Sequence, residues 1–165
     1  MEDIELIENF IVDENYEELE KILMKNPELV NSSVTHDMGY QTTLLCFACW
    51  EDVEFTECIR ILLKYGADPN GKDEFGRTPL FECCKLEAIK LLLNYGANIN
   101  HKDCYGKTPL RLCIEKIAER NFQLSKAILL LKEGASLEDE NFEKSSNKVK
   151  KIENELRKIL EITQS

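Results

Sequence analysis

Zinc ligation and cysteine nucleophilicity are the two chemistries for which this chain carries the residue types. The thiols are Cys46, Cys49, Cys58, Cys83, Cys84, Cys104 and Cys113, and the imidazoles are His36 and His101. A zinc site needs clustered cysteine or histidine ligands, and only Cys46-Phe-Ala-Cys49 has a suggestive spacing. The other reading of that pair is structural, because a thiol inside an apolar helical pattern behaves as a small hydrophobe. A cysteine nucleophile needs a histidine base within hydrogen-bond reach. Neither histidine stands in such a context, and His101 simply follows Asn100 in a turn. The glycines fall at turns and helix ends rather than in a phosphate-cradling loop, and the many carboxylates read as a solvated face rather than a catalytic pair. No catalytic residue, metal or cofactor is expected, and an enzyme is not expected.

The chain has 165 residues and a formal charge of -10. That length suits one domain with a real core. The charge argues against a nucleic-acid partner, since binding there depends on Lys and Arg displacing counterions. It fits instead a partner protein with a basic or neutral surface. The acidity is concentrated: ten carboxylates lie between Glu2 and Glu28, against Lys21 and Lys25. The start Met-Glu-Asp-Ile-Glu lacks the features of a signal peptide, and no purely apolar stretch, Ala127 to Leu131 among them, is long enough to span a bilayer. An odd number of cysteines without framework spacing fits a reducing compartment. The expectation is a cytoplasmic protein, monomeric when alone, with no membrane contact.

An internal repeat organises the chain. Lys72-Asp-Glu-Phe-Gly-Arg-Thr-Pro-Leu80 returns as Lys102-Asp-Cys-Tyr-Gly-Lys-Thr-Pro-Leu110. Each copy follows an apolar helical run that closes on Gly-Ala, at Gly66-Ala67 and Gly96-Ala97, with a weaker third ending at Gly134-Ala135. Thr78 and Thr108 suit a helix N-cap, and Pro79 and Pro109 suit the first helical position, where no amide hydrogen is needed. The glycines suit the left-handed residue that ends a helix. Between start and stop, Cys58, Ile61 and Leu62, like Ile89, Leu92 and Leu93, recur at helical spacing, so each unit predicts a helix pair.

These residues resemble the ankyrin-repeat family, whose pattern is Asp-x-x-Gly-x-Thr-Pro-Leu, two antiparallel helices and a closing Gly-Ala-Asp. The resemblance implies an all-α solenoid of stacked helix-turn-helix units over 1–165. Residues 1–35 form a divergent N-terminal repeat or cap, residues 37–71, 72–101 and 102–137 form repeats, and residues 138–165 form an acidic linker and a C-terminal helix. In the N-terminal segment Ile4, Ile7 and Ile11 make one apolar stripe, Leu19, Ile22 and Leu23 another, and Leu29-Val-Asn31 echoes the Ile99-Asn100 ending. The turn of the first full unit, around Asp37, is remodelled and lacks the proline. Cys83, Cys84 and Cys113 align with small buried residues of the family pattern. The spacing predicts loop changes across Trp50–Thr56, Cys84–Glu87 and Glu115–Leu124. Val149, Ile152, Leu156 and Leu160 define the last helix, which either caps the stack or binds a partner.

The resemblance also implies a partner surface made of turn tips and the exposed side of each first helix. Carried over residue by residue, it comprises Lys72, Glu74, Phe75 and Arg77 in one unit and Lys102, Tyr105 and Lys107, beside Cys104, in the next. Met38 and Tyr40 are the remodelled counterparts, Trp50 extends the strip, and Phe81 and Arg111 are second-rank contacts. Aromatic rings and arginine suit this role because they bury much area with few rotatable bonds. The alternative is that the rings fold back and brace the stack. Glu82 replaces an expected leucine, which suggests a wet strip or a basic neighbour. The expected function is a non-catalytic protein-interaction module, in one version a stoichiometric inhibitor or immunity-like protein. The rival is a structural scaffold subunit.

Overall fold

The computed structural model describes residues 2–35, 39–50, 55–120, 123–137 and 146–164. His36, Asp37 and Met38, most of the loop after Trp50, and the acidic segment from Glu138 to Glu143 lie outside the described residues. The chain divides into two compact units, Met1–Asn98 and Ile99–Ser165.

The first unit opens with α1 (Glu2–Val12) and α2 (Tyr16–Lys25). Asn15 starts α2 by accepting a hydrogen bond from the Glu18 amide, and Glu17, Glu18 and Lys25 complement the helix dipole. Ile7 and Ile11 of α1 and Leu19 and Leu23 of α2 are buried, as their spacing predicts. A short 3₁₀ turn, Pro27–Asn31, leads into a two-stranded antiparallel hairpin of β1 (Ser33–Thr35) and β2 (Gln41–Thr43), with Val34 opposite Thr42. These strands flank the remodelled first turn around Asp37, which lies outside the described residues. Two helix pairs follow, α3 (Leu44–Ala48) with α4 (Thr56–Lys64), and α5 (Pro79–Glu82) with α6 (Leu86–Asn94). Helix α3 packs on α5, while α2, α4 and α6 pack in a second row. The core between the rows takes Leu44, Leu45, Cys58, Leu62, Leu80 and Ile89.

Helices α4 and α6 end in the same way. Gly66 and Gly96 have φ of +93° and +87°. The amides of Ala67 and Ala97 reach back to the carbonyls of Leu62 and Leu92, while the glycine amides bond to Leu63 and Leu93. This six-to-one and five-to-two pattern ends a helix with a left-handed residue that glycine adopts without a Cβ penalty.

A ladder of asparagines ties one ending to the next. Asn31 Nδ2 donates to the Gly66 carbonyl at 3.1 Å, and the Asp68 amide donates to Asn31 Oδ1 at 2.8 Å. Asn70 repeats both bonds, to the Gly96 carbonyl at 3.0 Å and from the Asn98 amide at 2.7 Å. Asn31 therefore makes the same pair of bonds to the Gly66 ending that Asn70 makes to the Gly96 ending.

The second unit contains α7 (Pro109–Arg120), α8 (Leu124–Lys132) and α9 (Asn147–Gln164). Thr108 Oγ1 accepts from the Arg111 amide at 3.1 Å, the expected cap. Its counterpart Thr78 has a buried hydroxyl that makes no cap bond; Pro79 and the backbone start α5 without it. The expected loop across Glu115–Leu124 is replaced over most of its length by helix, because α7 runs on to Arg120 with Ile117 buried. Helix α9 packs on α7 and α8 with Val149 and Leu156 buried, which is a capping arrangement. No helix among the described residues is long and apolar enough to cross a membrane.

Candidate functional site

The turn tips are rigid because one aspartate organises each of them. Asp73 Oδ1 accepts from the amides of Phe75 and Arg77 at 2.9 and 2.8 Å, and the Asp73 amide donates to the Arg77 carbonyl. Asp103 repeats the arrangement with Tyr105 and Lys107, both at 2.9 Å. The aspartate side chain thus acts as a local backbone mimic that fixes the turn. Burial holds the Asp73 carboxyl above the usual aspartate range, against the pull of the Arg77 and Phe75 amides. Glu74 stitches this turn to the hairpin, its amide donating to the Gln41 carbonyl at 3.1 Å.

In the first unit these turns bring three rings together. Tyr40 meets Phe75 edge-on with centroids 5.3 Å apart, and Trp50 lies 6.4 Å from Tyr40 in a tilted arrangement. Such pairs contribute roughly 0.5–1.5 kcal/mol beyond area burial. All three rings are half-buried. They brace one another, yet none is absorbed into the core. The Arg77 guanidinium lies over the Phe75 ring at 5.7 Å and reaches Glu82 at 3.7 Å. Glu82 therefore has its basic neighbour within the chain. Burial, with the charges of Glu82 and Asp73, pushes the Tyr40 hydroxyl up to about 12. Lys72 and Glu74 are exposed beside this cluster.

In the second unit Tyr105 is 62% exposed, and Lys102 and Cys104 are exposed with it. Lys107 Nζ pairs with Glu115 at 2.6 Å. Two of the expected contact residues are drawn inward. Phe81, 1% exposed, is part of the first unit's core, and so is removed from the surface. Arg111, 8% exposed, pairs with Glu115 at 3.1 Å and with Glu153 of α9 at 2.9 Å. Its guanidinium is thus engaged by a carboxylate of α9, 42 residues away in the chain. Met38 lies outside the described residues.

The residues that could do chemistry are mostly interior. Cys46, Cys49, Cys58, Cys83 and Cys113 are buried. Burial pushes the thiols of Cys46 and Cys58 up to about 12, which suppresses the thiolate needed for ligation or attack. Among the described residues no group of three or more histidine, cysteine or acidic side chains is placed to hold a metal. A pocket open to solvent, with about 230 Å³ of empty space, lies among Ala48, Cys49, Trp50, Phe55, Cys83 and Cys84. Thr56, Ile59, Lys85 and Ala88 complete its lining.

The asparagine ladder and the aspartate-fixed turns are the features that reading the residues singly missed. Both have a sequence signal: Asn31, Asn70 and Asn100 close successive units, and Asp73 and Asp103 open the two strong turns.

A family model described as ankyrin repeats, in three copies, matches residues 9–103 and, in a second overlapping match, residues 45–141. No curated protein matches the chain. The chain belongs to the ankyrin-repeat family, and its helical content with little strand is that of the all-α ankyrin class. Proteins of this family generally mediate protein–protein interaction and are typically non-catalytic.

Proposed function

We propose, from the premise that this is an ankyrin-repeat protein, that it holds a partner protein against its turn tips and turns nothing over. The first unit offers Tyr40, Trp50, Phe75 and Arg77, with Lys72 and Glu74 at the margin. The second offers Tyr105 and Lys102. The observation that carries this reading is the clustering of Tyr40 and Phe75, at the turns, with Trp50, at the end of α3, all three half-buried and in a chain of ring contacts. Pre-ordered aromatic rings lose little entropy on binding, and so they supply interface hot spots. The acidic balance favours a partner with a basic surface, approached with electrostatic steering. Stoichiometric inhibition, in the manner of an immunity protein, is the finer form of the same reading: occupancy of a surface is its whole mechanism.

The test is affinity capture of the endogenous protein, comparing wild type with the Phe75→Ala, Tyr105→Ala double variant at low and moderate salt. Recovery of the partner falls with the double variant and with salt if the reading is right. A partner recovered equally in all four arms would sink both the turn-tip surface and the steering. Scaffold behaviour would show instead as an obligate complex and poor solubility of the isolated chain.

A further inference from the structure

We infer that Asn70 is a site of slow self-modification, in which the Gly71 nitrogen displaces the side-chain amide of Asn70 whenever the asparagine ladder opens at that rung. Asn70-Gly71 is the single Asn-Gly pair of the chain. Attack of a backbone nitrogen on the Cγ of the preceding asparagine is hindered by the side chain of the attacking residue, and glycine has none. The ladder contains its own comparison, because Asn31 precedes Ser32 and Asn100 precedes His101.

The fold engages both reacting groups. The Gly71 amide donates to the Asp68 carbonyl at 3.0 Å. Asn70 Nδ2 donates to the Gly96 carbonyl at 3.0 Å, and Asn70 Oδ1 receives the Asn98 amide at 2.7 Å. Cyclisation breaks all three bonds, since the nitrogen has to turn onto Cγ and the side chain has to rotate toward it. Asn70 is only half-buried, so such an opening is local rather than global. Packing also fixes the glycine. A Cβ at position 71 would lie 3.2 Å from both the Asp68 carbonyl oxygen and Cγ2 of Thr43, the residue that caps α3. The susceptible pair is therefore tied to the close approach of this turn to α3.

In the reaction the Gly71 N–Cγ bond forms, the amide proton passes to water, the Cγ–Nδ2 bond breaks and ammonia leaves, giving a five-membered succinimide. Water then opens either carbonyl, leaving aspartate or isoaspartate at position 70. Either product alters the rung. Aspartate sets a carboxylate oxygen where Nδ2 faced the Gly96 carbonyl, so a donor is lost and two acceptors meet. Isoaspartate also lengthens the main chain by one methylene, immediately before the tightly packed Gly71.

The purified full-length protein is incubated at mildly alkaline pH, folded and in urea. Conversion at Asn70, Asn31 and Asn100 is followed by peptide mass spectrometry. In urea, Asn70 converts fastest of the three, and Gly71→Ala slows it. Folding slows Asn70 by at least about tenfold, the scale of breaking several hydrogen bonds that each contribute to stability. Below the urea midpoint its conversion rises in step with hydrogen exchange of the Asn98 amide, the donor to Asn70 Oδ1. Gly96→Ala, which strains a residue at φ +87°, speeds conversion of the folded protein several-fold and leaves the rate in urea unchanged. If that variant does not fold, the wild-type urea series decides alone. The inference is overturned by equal rates in the folded and unfolded chains, by a folded protein that never converts, by conversion that ignores Asn98 exchange, or by Asn31 or Asn100 keeping pace with Asn70 in urea.

Discussion

At the scale of single residues, Asp73 is the position where charge and geometry pull apart. Its Oδ1 is needed to receive two amides, but burial disfavours its charge. Asp73→Ala removes the acceptor and costs about 1–3 kcal/mol of stability, read by urea denaturation. Asp73→Asn keeps an acceptor oxygen and sheds the charge, and is expected to equal or exceed wild type at neutral pH. The sign follows from the raised carboxyl. The unfolded chain loses this proton first, so wild-type stability falls as pH rises through the window between the unfolded and folded values. The advantage of Asp73→Asn therefore narrows as pH drops below the carboxylate range. An advantage that grew on acidification would contradict the burial assignment. The role of Asp73 is partly legible in the repeated Asp-x-x-Gly-x-Thr-Pro-Leu string, because an Asx turn is a short-range event. The burial of Phe81 and Arg111 is not legible there. It is decided by what covers each side chain, and for Arg111 that is Glu153, far along the chain.

At the scale of elements, local rules read most of the fold and tertiary packing supplied the rest. The helix starts at Pro79 and Pro109 and the stops at Gly66, Gly96 and Gly134 follow from steric preferences within a few residues. The β1–β2 hairpin was hidden because three-residue strands are too short to show alternation. The full length of α7 is legible in the sequence: Leu110, Ile114 and Ile117 keep helical spacing where the extra length of this unit reads as a loop. Helix α9 is amphipathic in the sequence, and the Arg111–Glu153 pair joins it to α7. Glu153 is 1% exposed, so Glu153→Ala leaves a buried guanidinium without one of its two carboxylates, Glu115 being the other. That change is expected to destabilise the second unit by about 1–3 kcal/mol. The double variant Arg111→Met, Glu153→Leu, which replaces the pair with apolar side chains, recovers most of the loss. Circular dichroism through a urea series reads both. If the single and double variants unfold alike, the ion pair is not what seats α9.

At the scale of the whole molecule, the controlling quantity is the charge of -10 and its concentration between Glu2 and Glu28. Part of it is compensated on the outer row, where Lys64 meets Glu20 and Lys21 meets Glu18. Asp3, Glu5, Asp13 and Glu17 are exposed. Neutralising these four to their amides lowers the association rate of a basic partner at low salt by several-fold, leaves dissociation nearly unchanged, and loses its effect as salt screens the surface. Stopped-flow mixing over a salt series reads this; a change confined to dissociation would place the acidic helices in the contact rather than in the approach. The central claim is that the partner sits on the turn tips. Hydrogen exchange of the complex against the free protein tests it most directly. Protection is predicted at residues 40–50 and 74–77 of the first unit and 104–107 of the second, with the outer row of α2, α4 and α6 unchanged. Protection concentrated on that outer row, with the turn tips exchanging as in the free protein, would contradict the account.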